Sequence, residues 1–394
     1  MDRLTNAVRP YPWGSVTALP ELMGVAPDGS PQAELWMGAH PAAPSRLERG
    51  GRSLGLDEVV EADPRRELGD ASVRRFGPRL PFLLKLLAAD APLSLQVHPD
   101  PARAAAGYAR ENARGIPLDA PHRTYRDAQH KPEMIVALTP FEGLCGFRPP
   151  RECAALLDAL RVDRLAPYAA TLRSAPEKEA LREVFSAFLA LPPDLLAEIG
   201  GALAAAARRP GPLREAFAGY DAIARAYPGD PGVPAALLVR QVRLAPGEGL
   251  FLGPGVPHAY VKGLGVEVMA ASDNVLRCGL TSKHVDVPEL LRVVRFDALA
   301  AAVVRPVRAP AGEEVYPAPV DDFRLSRLAL DGRGGARVLP ASRPQILVCT
   351  AGAVRLAGPG QEVVLPPGAS VFVPAGEAVT ASGEGTVFRA TTGV

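Results

Sequence analysis

Short apolar runs closed by Pro and Gly fill both ends of this chain. Between about Pro150 and Pro234 they give way to an Ala/Leu-rich stretch with a 3.6-residue period. That double change of period predicts the order β, inserted α, β, then a terminal β unit. Before the insertion, Pro81–Leu87, Leu93–His98 and Glu133–Leu138 read as strands, and helical periodicity is confined to Leu56–Glu67. Inside it, Leu181, Val184, Phe185 and Phe188 form one apolar stripe, and Leu213, Phe217, Tyr220 and Ile223 another. Asp194, after Pro192-Pro193, reads as a helix cap, and Pro-Gly breaks at 210–212 and 228–234 punctuate the helices. After the insertion, Leu237–Leu244, Leu250–Leu252 and Gly265–Met269 return to strand. Beyond about Ala300 only strands and turns are expected, with Gln345–Thr350, Ala353–Leu356, Glu362–Leu365 and Ser370–Val373 separated by Ala-Gly, Gly-Pro-Gly and Pro-Pro-Gly turns. Such spacing predicts a small β-barrel or jelly roll.

Several function classes drop out early. At 394 residues the chain is long enough for two or three domains, and 44 Lys+Arg against 43 Asp+Glu leave a net charge of +1. A nucleic-acid binder needs a net basic surface to displace counterions, so none is expected as a partner. The apolar run Leu80–Ala89 is broken by Lys85 and too short to span a bilayer, so no membrane association is expected. Residues Met1 to Gly14 carry no apolar secretory core. Cys145, Cys153, Cys278 and Cys349 form no CxxC pair and read as reduced core residues of a cytoplasmic protein.

Only five of the 44 basic residues are lysines (85, 131, 178, 262 and 283), and asparagine occurs three times. Glutamine and histidine occur six times each. Where generic surface cations have become Arg, a retained Lys, Asn, Gln or His carries more chemical weight, because a compact or titratable charge is not interchangeable with guanidinium.

Those scarce types converge on one constellation. Gln96 and His98 sit at i, i+2, so on a strand they leave the same face. Pro99 biases His98 toward extended backbone. In His130-Lys-Pro-Glu133, Pro132 rules out a helical zinc motif and leaves Glu133 acting from extended chain. Gly249–His258 places a histidine after a Gly/Pro turn between two strands. Gln96, His98, Glu133 and His258 make an N/O donor set of borderline hardness, suited to Zn²⁺, with Fe²⁺, Mn²⁺ or Co²⁺ as alternatives.

The chain also resembles a known family, the zinc-dependent type I mannose-6-phosphate isomerases of the cupin superfamily, along nearly its whole length. The resemblance is carried by Tyr11-Pro-Trp-Gly-Ser15, Glu34-Leu-Trp-Met-Gly-Ala-His40, Ser94-Leu-Gln-Val-His-Pro-Asp100, His130-Lys-Pro-Glu-Met134 and Pro257-His-Ala-Tyr260. It continues in Glu267–Arg277 and Gly279-Leu-Thr-Ser-Lys283. It implies a mainly β fold: two cupin-type β-barrel or jelly-roll domains with an all-α insertion. The first barrel would use residues 1–149 and 235–300, the insertion 150–234, and a metal-free barrel 301–394. The family's zinc ligands map onto Gln96, His98, Glu133 and His258, one Zn²⁺ per subunit, and its catalytic arginine onto Arg277. The chain departs from the general cupin Pro-x-Gly-x-x-His pattern, since Pro254 adjoins Gly255, and has Ser282 where the family often has proline. Neither touches a ligand.

The implied reaction interconverts mannose 6-phosphate and fructose 6-phosphate through a cis-enediol. It needs a proton carrier, a fixed positive charge for the enediolate and a cationic phosphate site. Arg277 supplies fixed charge, Lys131 and His130 are candidate proton carriers or hydroxyl contacts, and Asp273 serves ring opening or caps a turn. Lys85 and Lys283 are candidate phosphate or hydroxyl partners, Ser94 a substrate contact, and Trp13 and Tyr260 line the sugar pocket or pack. His40 reads as structural and His122 as an exposed loop residue. No histidine follows His284, so the last β unit has no His-based metal site. A sugar phosphate is the expected partner and a monomer the expected state. Two other readings stay open: an iron-dependent cupin dioxygenase, and a non-catalytic sugar-phosphate sensor.

Overall fold

The computed structural model describes residues 1–299, 303–309 and 312–394. Eleven strands form the larger sheet: β1 (Ala7–Arg9), β2 (Glu34–Met37), β3 (Phe82–Ala89), β4 (Leu95–Val97), β5 (Glu133–Ala137), β6 (Phe141–Phe147), β7 (Val239–Leu244), β8 (Gly249–Leu252), β9 (His258–Ala270), β10 (Leu276–Gly279) and β11 (Val303–Val304). The long strand β9 serves two pairings. Its first half lies beside β4 and β6, its second half between β5 and β3. The switch occurs where the register shifts between Tyr260 and Lys262 and Gly263 adopts φ +130, a conformation that favours glycine.

The second sheet has nine strands, eight of them between Val307 and Thr391. The ninth is Asp2–Leu4, which pairs with Ser370–Val373 from the other end of the chain. The two sheets share a core. Leu84 and Leu86 of β3, Met134 and Val136 of β5, and Val266 and Val268 of β9 pack with Phe323, Leu325, Ile346, Val348, Phe372 and Phe388.

Between the halves of the larger sheet, residues 150–237 are helical, from Pro150–Leu160 through Gly232–Leu237. The predicted stripe Leu181, Val184, Phe185 and Phe188 is fully buried. These helices share one core with the sheet: Leu95 and Val97 of β4, Phe147 of β6, and Leu276 and Cys278 of β10 all enter it. Period-two alternation then sends the intervening residues, Gln96 and Arg277, to the opposite face. The helices are the floor under the two strands that carry those side chains.

Four local expectations need correction. Pro101–Ala113 is a 13-residue helix capped by the Asp100 side chain, and Ala18–Met23 and Asp70–Phe76 are also helical, so helix before Pro150 is not confined to 56–67. Asp194 does not cap its helix; it lies in the first turn of Pro193–Arg208 and pairs with Arg164. Leu237 ends the helix Gly232–Leu237, and strand begins at Val239. Ala351-Gly352 is no hairpin turn: Gln345–Gly358 is one strand, and the register shift between Cys349 and Ala351 marks a bulge that Gly352 accommodates at φ +68. The expected boundary at 300/301 lies outside the described residues. All four cysteines are buried and unpaired, and burial raises each thiol, Cys145 and Cys153 to about 12.

Candidate metal centre

Three strands bring the predicted ligands together. Gln96 of β4 is the register partner of His258 at the start of β9, and Glu133 opens β5. His98 follows β4 and is pinned because the Gly255 N–H donates to its carbonyl at 2.8 Å. Gly255 is at φ +73, and a Cβ there would stand 2.8 Å from the Val293 carbonyl oxygen, so the turn before His258 requires glycine.

His98 Nε2 stands 3.3 Å from Glu133 Oε2, and His258 Nε2 stands 3.5 Å from the same oxygen. One donor atom from each residue lies within 4.8 Å of the others. Gln96 joins them through its amide, 3.4 Å from His258 Nε2. Both imidazoles are oriented from behind. His98 Nδ1–H donates to the Asn274 carbonyl and His258 Nδ1–H to the Val256 carbonyl, each at 2.8 Å. A carbonyl only accepts, so Nδ1 carries a proton in each ring, and Nε2 is the nitrogen turned toward Glu133 and available to a metal. His98 Nε2 and Glu133 Oε2 are buried with no hydrogen-bond partner. Two orphaned acceptors facing one another are costly unless a cation lies between them. The donor set therefore fits a divalent ion of zinc type.

Burial pushes the His98 pKa down to about 4, against the opposing pull of Glu133. Burial acts to raise Glu133, but Lys131 and His98 outweigh it and hold the carboxyl well below its usual range. Lys131 Nζ lies 2.9 Å from Glu133 Oε1, on the side of the carboxylate away from the imidazoles.

Arg277 is the register partner of Gln96 on β10, one strand beyond the ligands. Burial and the nearby Arg126 lower its pKa, and burial, Arg277 and Arg126 lower that of Lys283. Arg126, Arg277 and Lys283 thus form a cationic arm beside the ligands. Among the described residues, no carboxylate lies within 4.0 Å of any of the three. Asp273 is half-exposed, with Oδ1 3.3 Å from His40 Nε2; burial acts to raise its pKa, but His40, with Lys131 and Arg126, outweighs burial and lowers it.

Other predicted residues sit differently. Lys85 is buried, 3.0 Å from Glu267 Oε2 and 3.5 Å from Glu34 Oε1. Burial alone would depress its pKa, yet these carboxylates raise it. Tyr260 is buried and donates to Glu267 Oε1 at 2.9 Å. His130 Nε2 meets Asp322 at 2.9 Å, across to the segment that precedes the second sheet's strand Arg324–Asp331. Trp13 is half-buried and stacks on Tyr11, and Ser94 Oγ lies 3.5 Å from Gln96 Oε1. His40 is buried against Trp36, and His122 is exposed.

Sequence reasoning missed the brackets around the site. Asn274, fully buried, donates from Nδ2 to the carbonyls of Asp127 and Gln129 at 2.8 Å each and accepts from the Arg126 N–H. Asp127 accepts from Ser272 Oγ and the Asp273 N–H. The scarcity of asparagine was the available signal for Asn274; nothing local marks Asp127 or Arg126.

A buried His–Glu–His cluster between β-strands, bordered by unpaired cations, defines a metal-dependent enzyme for an anionic small molecule. The chain belongs to the mannose-6-phosphate isomerase family. Residues 1–150 match the family model of the phosphomannose isomerase type I catalytic domain. The chain is 41% identical over 398 residues to the mannose-6-phosphate isomerase of Escherichia coli K12, covering 99% of each. It is 32% identical over 410 residues to that of Homo sapiens, covering 96% of this chain and 94% of the human one. Among solved structures, a mutant phosphomannose isomerase from Salmonella typhimurium superposes with TM-score 0.93 at 40% identity and full coverage of both chains. A zinc-bound mannose 6-phosphate isomerase superposes with TM-score 0.92 at 39% identity, covering 100% of this chain and 99% of that one.

Proposed function

We propose that this chain interconverts D-mannose 6-phosphate and D-fructose 6-phosphate through a cis-enediol, as a cytoplasmic monomer with one Zn²⁺. The residues that would hold the ion are Gln96, His98, Glu133 and His258. When bound there, zinc supplies a Lewis acid for the sugar oxygens.

The chain's own groups do the rest. Lys131 Nζ, fixed by Glu133 Oε1, holds or releases the proton near the reacting carbons. Arg277 sets fixed positive charge where the enediolate oxygen develops. Arg126 and Lys283 extend that charge to the phosphate. Asp273, oriented by His40, takes part in ring opening. Ser94 and Trp13 contact the sugar near Gln96, and Lys85 and Tyr260, both held by Glu267, are further candidates to line the pocket. His130, oriented by Asp322, is a further substrate contact.

The two β units are proposed to be cupin-type barrels. The catalytic one joins residues 1–149 and 235–300, whose strands interleave in the larger sheet, and 150–234 is the helical insertion. The second uses 301–394, apart from Val303–Val304, which pairs into the larger sheet, and borrows Asp2–Leu4 from the first segment.

One observation carries the functional reading: His98 Nε2 and Glu133 Oε2 are buried, unpartnered and convergent with His258 in a chain 41% identical to an isomerase of this activity. The test is mannose 6-phosphate conversion before chelation, after it, and after zinc is restored. The isomerase reading predicts turnover, loss and recovery. An oxygenase would consume oxygen, and a sensor would bind the sugar phosphate without turnover; either result overturns the reading.

A further inference from the structure

The segment Tyr227–Gly232, which leads into the last helix of the insertion, grips the catalytic sheet at two places. Tyr227 donates its hydroxyl to the Pro92 carbonyl at 2.7 Å, just ahead of Ser94 and β4. Asp230 reaches the other strand. Its Oδ1 accepts from the Leu280 N–H at 2.8 Å and the Gly232 N–H at 2.7 Å, and its Oδ2 accepts from the Thr281 N–H at 3.1 Å. The turn it holds is an unusual one. Leu280 lies at φ +55, one of two non-glycine residues with positive φ among the described residues, and Gly279 lies at φ +126. A leucine in that region is strained and persists only where its surroundings impose it. Gly232 closes the contact: a Cβ there would stand 2.5 Å from the Leu280 nitrogen, and one on Gly279 would stand 2.4 Å from the Gly232 Cα. Two glycines let the backbones touch, and one carboxylate accepts the N–H groups that the turn aims at the helices.

Arg277 lies two residues before this turn and Lys283 two residues after Thr281. We propose that Asp230 is a positioning residue for the isomerase reaction, holding the Gly279–Thr281 turn so that Arg277 and Lys283 face the substrate. This rests on the proposed roles of Arg277 and Lys283. It assigns the helical insertion a task in catalysis, one delivered through a backbone turn without any contact between insertion and sugar.

The test uses the full zinc-loaded chain. In Asp230→Ala the Leu280 and Thr281 N–H groups lose their acceptor, and kcat/KM for mannose 6-phosphate should fall about tenfold or more, the scale on which small misplacements of catalytic groups act. Zinc stoichiometry should not change, because no ligand sits on the turn. Gly232→Ala is the independent variant. It keeps the carboxylate, suits the helix start, and pushes the Leu280 backbone from the same side, so it should give the same kinetic signature even if Asp230→Ala folds poorly. A role through Lys283, the proposed phosphate partner, also predicts coupling: in a Lys283→Ala background, Asp230→Ala should weaken fructose 6-phosphate binding much less than it does in the wild-type background.

Wild-type kcat/KM in a folded Asp230→Ala or Gly232→Ala protein, or a fall in Tm alone, overturns the proposal. Equal weakening of binding in both backgrounds overturns it as well. If Arg277→Ala itself keeps full kcat/KM, the reading of Arg277 fails instead, which separates the two failures.

Discussion

Gln96 lies between His258 and Arg277, as the register partner of both: His258 on β9 at one side, Arg277 on β10 at the other. Two of the proposed metal ligands, Gln96 and His258, and the proposed catalytic arginine therefore occupy one row across three neighbouring strands, where facing side chains are roughly 5 Å apart at their Cβ atoms. The same β4 and β10 bury their alternate residues, Leu95, Val97, Leu276 and Cys278, in the helical core. Site geometry and insertion packing are two faces of one pleat.

That row divides labour between charge and metal. Arg277→Ala removes the fixed positive charge while leaving every metal donor in place. Turnover should fall about 10²–10³-fold, the usual cost of deleting one preorganised oxyanion partner. Zinc measured by atomic absorption should stay at one per chain. Loss of zinc in this variant would refute the division.

Asn274 acts at one remove. Its side chain anchors the segment whose carbonyl orients His98. Asn274→Ala should weaken zinc binding by about 10–100-fold, as outer partners of ligating histidines do. Competition with a chromogenic chelator reads this directly, and an unchanged zinc affinity contradicts the role.

The pH behaviour of the zinc-free protein follows from His98, which burial pushes down to about 4, against about 6.5 for a free histidine. Between those values the unfolded chain binds the proton and the folded chain resists it. Stability is therefore unaffected by this group above about pH 6.5 and is lost as pH falls toward about 4, by on the order of 3 kcal/mol. Urea melts of chelator-treated protein across that range should show the loss, and His98→Gln should flatten it. An identical slope in the variant contradicts the assignment.

Much of this site was legible because its residues obey local rules. Gln96 and His98 are spaced i, i+2 at the end of a strand, Pro132 forces Glu133 into extended chain, and Gly255 marks the turn that delivers His258. Helix Pro101–Ala113 carried the signal of Asp100 followed by Pro101, an N-cap with proline in the first turn, but its weak apolar stripe hid it. Other features are set by contacts distant in the chain. Nothing near Asp2–Leu4 announces a partner at Ser370–Val373, and the bulge near Gly352 looks like a turn until Gln345–Gly358 pairs with Val379–Thr391 on both sides of it. Asp230 and Asp127 acquire meaning only once the turn or loop they bind is folded against them.

The second sheet carries a buried charge group with no part in the chemistry. Arg389 donates to Gln345 Oε1 at 2.6 Å, Glu313 Oε1 at 2.9 Å and the Pro340 carbonyl at 3.2 Å. Arg389→Ala leaves the buried Glu313 carboxylate without its cation, which costs about 3–5 kcal/mol. Tm should drop by roughly 10 °C, while activity per bound zinc at a permissive temperature stays near wild type. Unchanged Tm in calorimetry would contradict the structural role.

The account depends most on four side chains far apart in the sequence meeting at one ion. Anomalous diffraction at the zinc edge from crystals of the zinc-loaded protein tests this. It predicts a single strong peak bonded to His98 Nε2, His258 Nε2, a Glu133 carboxylate oxygen and the Gln96 amide oxygen. A peak at any other site, or none among these four residues, would contradict it.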